Sequence, residues 1–252
     1  MRLDVYLTEN GLSPSRAKAQ EMIKNGCVEV NGRTVQKPSL CIDSSDVVLL
    51  RENPLQRYVG RGGLKLEGAL SYFSLSPSDQ VALDVGASSG GFTDCLLKHG
   101  AKYVYAVDSG FGQLHPSLLN DPRVENRESV NARYLSAEDF PVLPTFAVMD
   151  VSFISQTLIL PSLANVLRKG GTLISLVKPQ FELDRSALSG SGIVKREDLR
   201  HRAIERVRSC AESLGFRFLG CVESSVRGGD GNVEYLAAFT VNNTESEDNA
   251  CE

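Results

Sequence analysis

The chain has 252 residues, of which 42% are apolar, so it is long enough for one large domain with a buried core and one small domain. Its formal net charge of −4 gives no general indication of a nucleic-acid partner, although the first 70 residues carry ten Lys and Arg against eight Asp and Glu. There is no apolar run of about 18 residues, no metal-ligand spacing of Cys or His and no secretory leader, and the six cysteines are scattered, which predicts a cytoplasmic protein with free thiols, no membrane span and no metal.

The first fifty residues predict a small α+β unit. Apolar residues over 3–7 indicate a short helix, and a second helix is predicted over 15–24 with Ser13 as its N-cap. An Asn-Gly dipeptide within 27–35 lies between two short apolar runs, which is a strong hairpin signal. The run at 47–50 predicts one further strand that closes the unit.

From residue 80 onward, apolar runs alternate with helical patterns. A glycine-rich entry at 61–70 precedes them and opens a helix. Strands are predicted at 81–85, 103–107, 146–149, 172–177, 216–222 and 234–241, and helices near 90–99, 156–168 and 198–214. This alternation is typical of an α/β fold in which a mostly parallel sheet carries helices on both faces.

The turn after the strand at 81–85 is the most informative segment. Asp84 precedes a run of small residues that opens a helix, and the next strand ends at a second acid, Asp108. Glycines in such a turn let the backbone approach a ligand closely, and Asp108 can accept both ribose hydroxyls of an adenosine. The candidate cofactor-binding residues are Asp84, Gly86, Ser88, Gly90, Gly91, Phe92, Asp108 and Asp150.

Two cofactors compete for this turn. A dinucleotide fingerprint requires GxGxxG, so that a pyrophosphate can lie at a helix N-terminus, but Ser88 stands at the second glycine position. The carboxylate of Asp84 would repel a pyrophosphate, whereas it suits the cationic amino-acid end of S-adenosylmethionine. The residues therefore favour S-adenosylmethionine. A turn without any ligand would leave two acids at successive strand ends unexplained.

Candidate catalytic residues follow from the rule that ligands of open α/β sheets bind at the carboxyl ends of the strands. Asp150 and Lys178 end two apolar strands. Glu234 opens the last strand and would reach the same edge only if that strand ran antiparallel. Lys65 could reach in from the helix entry. Transfer of a methyl group to a ribose 2′-hydroxyl needs help with proton removal, and a partly desolvated lysine beside a second cation can act as the base.

The chain resembles the TlyA family of bacterial ribosomal RNA 2′-O-methyltransferases, historically labelled hemolysin A. The motifs that carry the resemblance are Arg2-Leu-Asp4, Ser15-Arg16-Ala17, 28–32, 61–65, 83–93, 148–154, 177–182 and 231–235. The resemblance implies an S4-type RNA-binding domain followed by an FtsJ-like methyltransferase domain. It also implies a Lys-Asp-Lys-Glu catalytic tetrad, which falls on Lys65, Asp150, Lys178 and Glu234, and a cytidine ribose of small-subunit or large-subunit ribosomal RNA, or both, as the substrate.

The expected architecture is a Rossmann-like methyltransferase fold whose mostly parallel seven-stranded sheet ends in an antiparallel strand, with a small α+β S4 domain at the N-terminus. We expect the S4-like domain over 1–52, a linker over 53–62, the methyltransferase domain over 63–241 and an acidic disordered tail over 242–252. Cations are needed to contact RNA phosphates, and the candidates are Arg2, Arg16, Lys18, Lys24, Arg33, Arg57 and Arg61.

Two other functions remain open at the level of the sequence. The S4-like unit permits an RNA-binding ribosome-assembly factor whose methyltransferase fold is inactive, and failure to bind S-adenosylmethionine would favour it. A membrane-active hemolysin is the reading suggested by the historical family name. The lack of a long apolar segment opposes that second reading.

Overall fold

The computed structural model describes residues 1–24, 26–51, 57–228 and 231–242. The chain divides into two compact units, Met1–Arg57 and a second that begins at Tyr58. This division falls within the predicted linker over 53–62, of which residues 53–56 lie outside the described residues. The predicted acidic tail over 242–252 is described only at Asn242.

The first unit is a small α+β fold. Its elements are α1 (Leu3–Glu9), α2 (Arg16–Lys24), β1 (Val28–Val30), β2 (Arg33–Thr34) and β3 (Val48–Leu50), with β1 lying between β2 and β3 in an antiparallel sheet. The two helices pack on this sheet through a buried cluster that includes Leu3, Leu7, Ile23 and Val28. The predicted hairpin is confirmed, since Asn31 and Gly32 both have positive φ, as a tight two-residue turn requires.

The predicted N-cap of the second helix is wrong. Helix α2 begins at Arg16, and the hydroxyl of Ser15 accepts a hydrogen bond from the backbone N–H of Lys18 at 3.2 Å. Ser13 is instead held at the end of α1, because its backbone N–H donates to the carbonyl of Leu7 at 3.0 Å. The chain must leave that turn before a new helix can start, which moves the cap to Ser15.

The second unit is built on a seven-stranded sheet. Its strands are β4 (Val81–Val85), β5 (Tyr103–Val107), β6 (Val124–Arg127), β7 (Phe146–Met149), β8 (Thr172–Val177), β9 (Phe216–Glu223) and β10 (Tyr235–Val241). They lie in the order β6-β5-β4-β7-β8-β10-β9, and β10 runs antiparallel to both of its neighbours. The predicted α/β class and the antiparallel last strand are therefore confirmed.

Helices cover both faces of this sheet. They are α3 (Gly62–Phe73), α4 (Gly91–Lys98), α5 (Pro116–Leu119), α6 (Leu160–Val166), α7 (Pro179–Glu182) and α8 (Glu197–Ser213). Side chains alternate between two buried clusters along each central strand, so that Leu83 and Val85 belong to one cluster and Ala82 to the other. This alternation decides which strand residues can face α4, and it places Asp84 on the α4 side.

The described residues offer neither a membrane-spanning helix nor a metal-binding cluster. None of their helices has the length and apolar character that crossing a membrane would require. Within the same residues, no cluster of three or more His, Cys, Asp or Glu side chains is arranged to hold a metal ion.

Candidate active site

The turn from β4 into α4 depends on two glycines with left-handed backbone. Gly86 has a φ of 84°, and a Cβ there would overlap the backbone oxygen of Asp150 at the end of β7. Gly90 has a φ of 92°, and a Cβ there would overlap the side chain of Leu118. Glycine is thus required at both positions by conformation and by space, and the turn is pressed against the neighbouring strand end.

Asp108, at the end of β5, braces the same turn. Its carboxylate accepts hydrogen bonds from the backbone N–H of Ser88 at 2.8 Å and from that of Gly110 at 2.7 Å. The side chain is half-buried and lines a cavity of about 390 Å³ beside the strand ends. A carboxylate oxygen has further lone pairs, so Asp108 can still accept from hydroxyl groups of a ligand in that cavity.

A second, smaller cavity of about 190 Å³ adjoins the first. Both cavities are lined by Gly86, Ser88, Asp150 and Ser152, while Gly91, Phe92 and Lys178 line only the smaller one. The larger cavity has apolar walls that include Val107, Val130 and Ile154. Its size lies within the range of small-molecule sites, about 300–1,000 Å³. The arrangement suits a nucleoside in the larger cavity and a polar extension in the smaller one.

Asp84 does not lie in the ligand space, where its place in the sequence predicts it. It is fully buried, it lines neither cavity, and its Oδ2 accepts a hydrogen bond from the hydroxyl of Thr93 on α4 at 2.6 Å. The alternation of side chains along β4 points it under α4 rather than into the ligand space. Burial raises the pKa of the Asp84 carboxyl to about 7, and its Oδ1 has no hydrogen-bond partner among the described residues.

Lys178 and Asp150 form an ion pair at the wall of the smaller cavity. The two residues directly follow the neighbouring parallel strands β8 and β7, which places their side chains together. Lys178 Nζ lies 2.6 Å from Asp150 Oδ1 and donates a hydrogen bond to the hydroxyl of Ser152 at 2.8 Å. The lysine is therefore held by one ion pair and one hydrogen bond while it stays next to the ligand space.

Lys65 and Glu234 form a second ion pair, more deeply enclosed. Lys65 is 8% exposed and Glu234 3%, and Lys65 Nζ lies 2.5 Å from Glu234 Oε2. Glu234 precedes β10, whose first residue pairs with Val177 of β8, so the antiparallel strand brings Glu234 to the edge where Lys178 lies. Lys65 lies in the first turn of α3 on its buried side.

The first turn of α3 also reaches the first ion pair. Gly62, three residues before Lys65, lines the smaller cavity together with Asp150 and Lys178. A Cβ at Gly62 would lie 3.9 Å from Asp150 Oδ2. The fold thus brings all four predicted catalytic residues to one edge of the sheet, as two lysine–carboxylate pairs.

The predicted RNA-contacting cations have different surroundings. In the first unit, Arg2 and Arg16 donate to the fully buried carboxylate of Asp4 at 2.9 and 3.0 Å, and the hydrogen bonds from Arg2 in particular hold the pKa of Asp4 well below its usual range. Lys18 pairs with Glu21 on the exposed face of α2 at 3.0 Å. The remaining candidates are exposed, and they are Lys24, Arg33, Arg57 and Arg61.

Three residues beside the site are absent from the sequence-based prediction. Ser152 contacts Lys178, Phe153 lines the larger cavity and is 91% exposed, and Glu182 is buried beneath the segment after β7. Phe153 also has a φ of 64°, which is unusual for a bulky residue. The motifs 148–154 and 177–182 contain all three, but their contacts join residues far apart in sequence, which periodicity does not reveal.

The fold and this site together define a Rossmann-like methyltransferase. Solved structures with little sequence identity support the fold alone; for example, an S-adenosylmethionine-dependent methyltransferase from Mesorhizobium loti is 14% identical with a TM-score of 0.55, covering 72% of this chain and 100% of its own. The model of the FtsJ-like methyltransferase family matches residues 58–241 and that of the S4 domain matches residues 1–48. The chain belongs to the FtsJ-like methyltransferase family and carries an N-terminal S4 domain.

More similar relatives align along nearly the whole of this chain. Hemolysin A of Brachyspira hyodysenteriae is 43% identical over 96% of this chain and 100% of its own length. The 16S/23S rRNA (cytidine-2′-O)-methyltransferase TlyA of Mycobacterium tuberculosis is 38% identical over 93% of this chain and 88% of its own. A solved structure from Streptococcus thermophilus is 44% identical with a TM-score of 0.74, covering 97% of this chain and 89% of that one.

Proposed function

We propose that this chain transfers the methyl group of S-adenosylmethionine to the 2′-hydroxyl of a cytidine ribose in 16S ribosomal RNA, 23S ribosomal RNA or both. The observation that carries the proposal is the convergence of two lysine–carboxylate pairs, Lys65–Glu234 and Lys178–Asp150, on one edge of a methyltransferase sheet. Relatives that align over 93% and 96% of this chain bear the name of this activity. The S4 domain adds a module suited to RNA.

The residues present fit S-adenosylmethionine. The cavity of about 390 Å³ has apolar walls for an adenine and a carboxylate, Asp108, where ribose hydroxyls would lie. The adjoining smaller cavity takes the amino-acid end past Gly86, Ser88 and Gly91. Phe92 adds to the lining of the smaller cavity, whereas Gly90 and Asp84 shape the turn without lining either cavity. When bound, the cofactor supplies an electrophilic methyl group on a sulfonium.

The tetrad helps to remove the proton of the ribose 2′-hydroxyl. A ribose 2′-hydroxyl is a weak acid, so its oxygen becomes a nucleophile only as its proton leaves. Lys178 lies at the cavity wall beside Asp150 and Ser152, and its amine can accept that proton after its ammonium has released one to solvent. Lys65 and Glu234 form a buried pair at this edge of the sheet, whose fixed field acts on the reacting groups without direct contact. Holding the hydroxyl in line with the methyl group supplies much of the remaining rate.

The decisive test uses the full chain, methyl-labelled S-adenosylmethionine and purified ribosomal subunits from cells that lack this protein. We expect label in ribosomal RNA at a cytidine ribose, and its loss in Lys178→Ala. Glu205→Gln on the exposed face of α8 is the control variant, and it should methylate like the wild type. If Lys178→Ala methylates as well as the wild type, the proposed mechanism is wrong.

Calorimetry separates this proposal from a non-catalytic assembly factor. An enzyme of this kind must bind S-adenosylmethionine, and substitution of Asp108 by Ala should weaken that binding because the carboxylate lines the cavity and braces Ser88. A chain that binds ribosomal RNA but neither binds the cofactor nor labels RNA would support the assembly role instead.

A further inference from the structure

Glu182 is the most completely enclosed carboxylate near the tetrad apart from Asp84. It is 2% exposed and lies at the end of α7, four residues after Lys178. Its Oε2 accepts a hydrogen bond from the hydroxyl of Ser155 at 2.6 Å, and its Oε1 accepts one from the backbone N–H of Gln156 at 2.8 Å. A buried carboxylate with two such donors is fixed in place.

These contacts join the two segments that carry the reactive ion pair. Ser155 and Gln156 belong to the segment that starts with Asp150 after β7, whereas Glu182 belongs to the segment that starts with Lys178 after β8. The side chain of Gln156 adds to the link, because it donates to the carbonyl of Leu176 and accepts from the hydroxyl of Ser175, both at 2.7 Å.

The backbone of Glu182, at the end of α7, is also held in place. Nη1 of Arg206 on α8 donates to the backbone carbonyl of Glu182 at 2.9 Å, so the end of α7 cannot shift without leaving α8. The rings of Phe153 and Phe181, one from each segment, lie with centroids 5.1 Å apart. The Glu182 hydrogen bonds and the ring contact join the two segments directly, while Gln156 and Arg206 fix them to β8 and α8.

The backbone between the reactive residues and this link is unfavourable by itself. Phe153 has a φ of 64°, a conformation that a bulky side chain adopts only when the surroundings enforce it. It lies between Ser152, which contacts Lys178, and Ser155, which contacts Glu182. A segment under such strain would relax if its hydrogen bonds to Glu182 were lost, and Asp150 and Ser152 would move away from Lys178.

We propose that Glu182 is a positioning residue, which sets the distances from Lys178 to Asp150 and Ser152 by fastening the segment after β7 to the helix after β8. The inference rests on the proposed function, because the quantity it predicts is the rate of methyl transfer. Glu182 itself touches neither cavity. It therefore acts on the rate through Lys178, Asp150 and Ser152 and not through the substrates.

The test compares Glu182→Ala, Glu182→Gln, Ser155→Ala and the double variant Ser155→Ala/Glu182→Ala in the full chain. We expect kcat of Glu182→Ala to fall by about 10-fold to 100-fold, since a small misplacement of reacting groups can cost about that much. KM for RNA and the calorimetric affinity for S-adenosylmethionine should stay within about twofold, because the cavities keep their linings. Glu182→Gln retains one acceptor oxygen for Gln156 and should lie between Glu182→Ala and the wild type.

The double variant distinguishes positioning from general loss of stability. Ser155 and Glu182 are two ends of one hydrogen bond, so the double variant should be no slower than Glu182→Ala alone, within about twofold. Independent structural damage would multiply the two losses and would weaken cofactor binding in parallel with kcat. Glu205→Gln makes the same chemical change on the exposed surface of α8 and should leave kcat unchanged.

Each outcome of this experiment leads to one conclusion. A wild-type chain that leaves ribosomal RNA unmethylated overturns the proposed function, and this inference with it. An active wild type whose Glu182→Ala variant keeps its kcat overturns the inference alone. It is also overturned if Glu182→Ala and Glu182→Gln both lose cofactor binding together with kcat, because Glu182 would then be part of the general framework of the domain.

Discussion

The two lysine–carboxylate pairs differ in one property that matters for their roles, namely access to the ligand space. Lys178 and Asp150 line the smaller cavity, whereas Lys65 and Glu234 line neither cavity and are almost fully buried. A group that exchanges a proton with substrate must reach it, which fits Lys178. A buried pair contributes a fixed field and a fixed geometry, which fits Lys65–Glu234.

Stability and activity can therefore be separated at the buried pair. Lys65→Met leaves Glu234 buried without its partner, and we expect the free energy of unfolding to fall by about 3–5 kcal/mol. Lys65→Met/Glu234→Leu removes both charges and should recover most of that loss in stability. Methyl transfer should be lost in both variants. Denaturant unfolding and labelled-methyl transfer measure the two quantities.

The control for that experiment breaks an exposed ion pair in the same unit. Arg196→Met loses a contact with Asp198 in which both side chains are largely exposed, so it should change stability by less than about 1 kcal/mol. If the double variant is as unstable as Lys65→Met, or if it still transfers methyl groups, the assigned role of the pair is wrong.

Asp84 gives a second prediction at the scale of one residue. Its pKa is about 7 in the folded protein against 3.8 in a free carboxyl, so between these values the folded state keeps a proton that the unfolded chain has released. The contribution of Asp84 to stability is then largest below about pH 4 and falls as pH rises towards 7. The total loss is a few kcal/mol, at about 1.4 kcal/mol for each tenfold change in proton affinity.

Asp84→Asn should remove this dependence. The amide oxygen can still accept the hydrogen bond from Thr93, and no proton is exchanged. We expect the variant to be more stable than the wild type at pH 8 and to lose that advantage near pH 4, as measured by denaturant unfolding across the pH range. Equal pH dependence in both proteins would show that Asp84 titrates normally.

At the scale of an element, the turn between β4 and α4 has a matched comparison elsewhere in the chain. Gly86 and Gly215 have nearly the same φ, 84° and 87°, but a Cβ at Gly86 would overlap Asp150 whereas nothing lies within 4 Å at Gly215. Alanine at either position should cost about 1–2 kcal/mol of backbone strain. Only Gly86→Ala should also weaken S-adenosylmethionine binding by more than about tenfold in calorimetry, and similar binding by the two variants would exclude a special role for the turn.

The strands show how far elements follow from sequence. The central parallel strands β4, β5, β7 and β8 are predicted to the residue, because strands buried on both faces are short continuous apolar runs with turn signals at each end. The edge strand β6, Val124–Arg127, is missed because it is only half-buried and carries polar side chains. Burial on both faces, rather than β-propensity, is what makes a strand predictable from the sequence.

The helix predicted over 156–168 shows a different limit. The structure has a 3-10 turn at Gln156–Leu158 followed by α6 at Leu160–Val166, because Pro161 has no backbone N–H and suits only the start of a helix. The site residues likewise fall into a predictable group and a group that the sequence does not reveal. The strand-end residues Asp108, Asp150 and Lys178 are predictable from topology, whereas Ser152 and Glu182 become visible only through hydrogen bonds that span 26 or 27 residues.

For the whole molecule, the uneven charge between the two parts of the chain makes the S4 domain the natural place for phosphate contacts, but its arginines are not equivalent. Arg33 is exposed and forms no ion pair with any described residue, whereas Arg2 donates twice to buried Asp4 at 2.9 Å. Arg33→Ala should weaken RNA binding and lower the slope of log affinity against log salt concentration by about one, without changing stability. Arg2→Ala should also lower the stability of the first unit.

Filter binding over a range of salt concentrations, together with amide hydrogen exchange of the first unit, measures both effects. Lys18→Ala is a useful third variant, because Lys18 forms only an exposed pair with Glu21 and should leave exchange unaffected. If Arg33→Ala binds RNA with unchanged affinity and salt dependence, Arg33 is not a phosphate contact.

The position of β10 in the sheet has a consequence for how the protein is made. β10 lies between β8 and β9 although it is the last strand in the described sequence, and Glu234 immediately precedes it. A ribosome that has translated through α8 has therefore produced the S4 domain, the cofactor turn and three of the four tetrad residues, yet β8 is still an open edge of the sheet. The S4 domain has its own core and can fold while synthesis continues. Methyl transfer must wait for the insertion of β10, so an interrupted chain could bind RNA without being able to modify it.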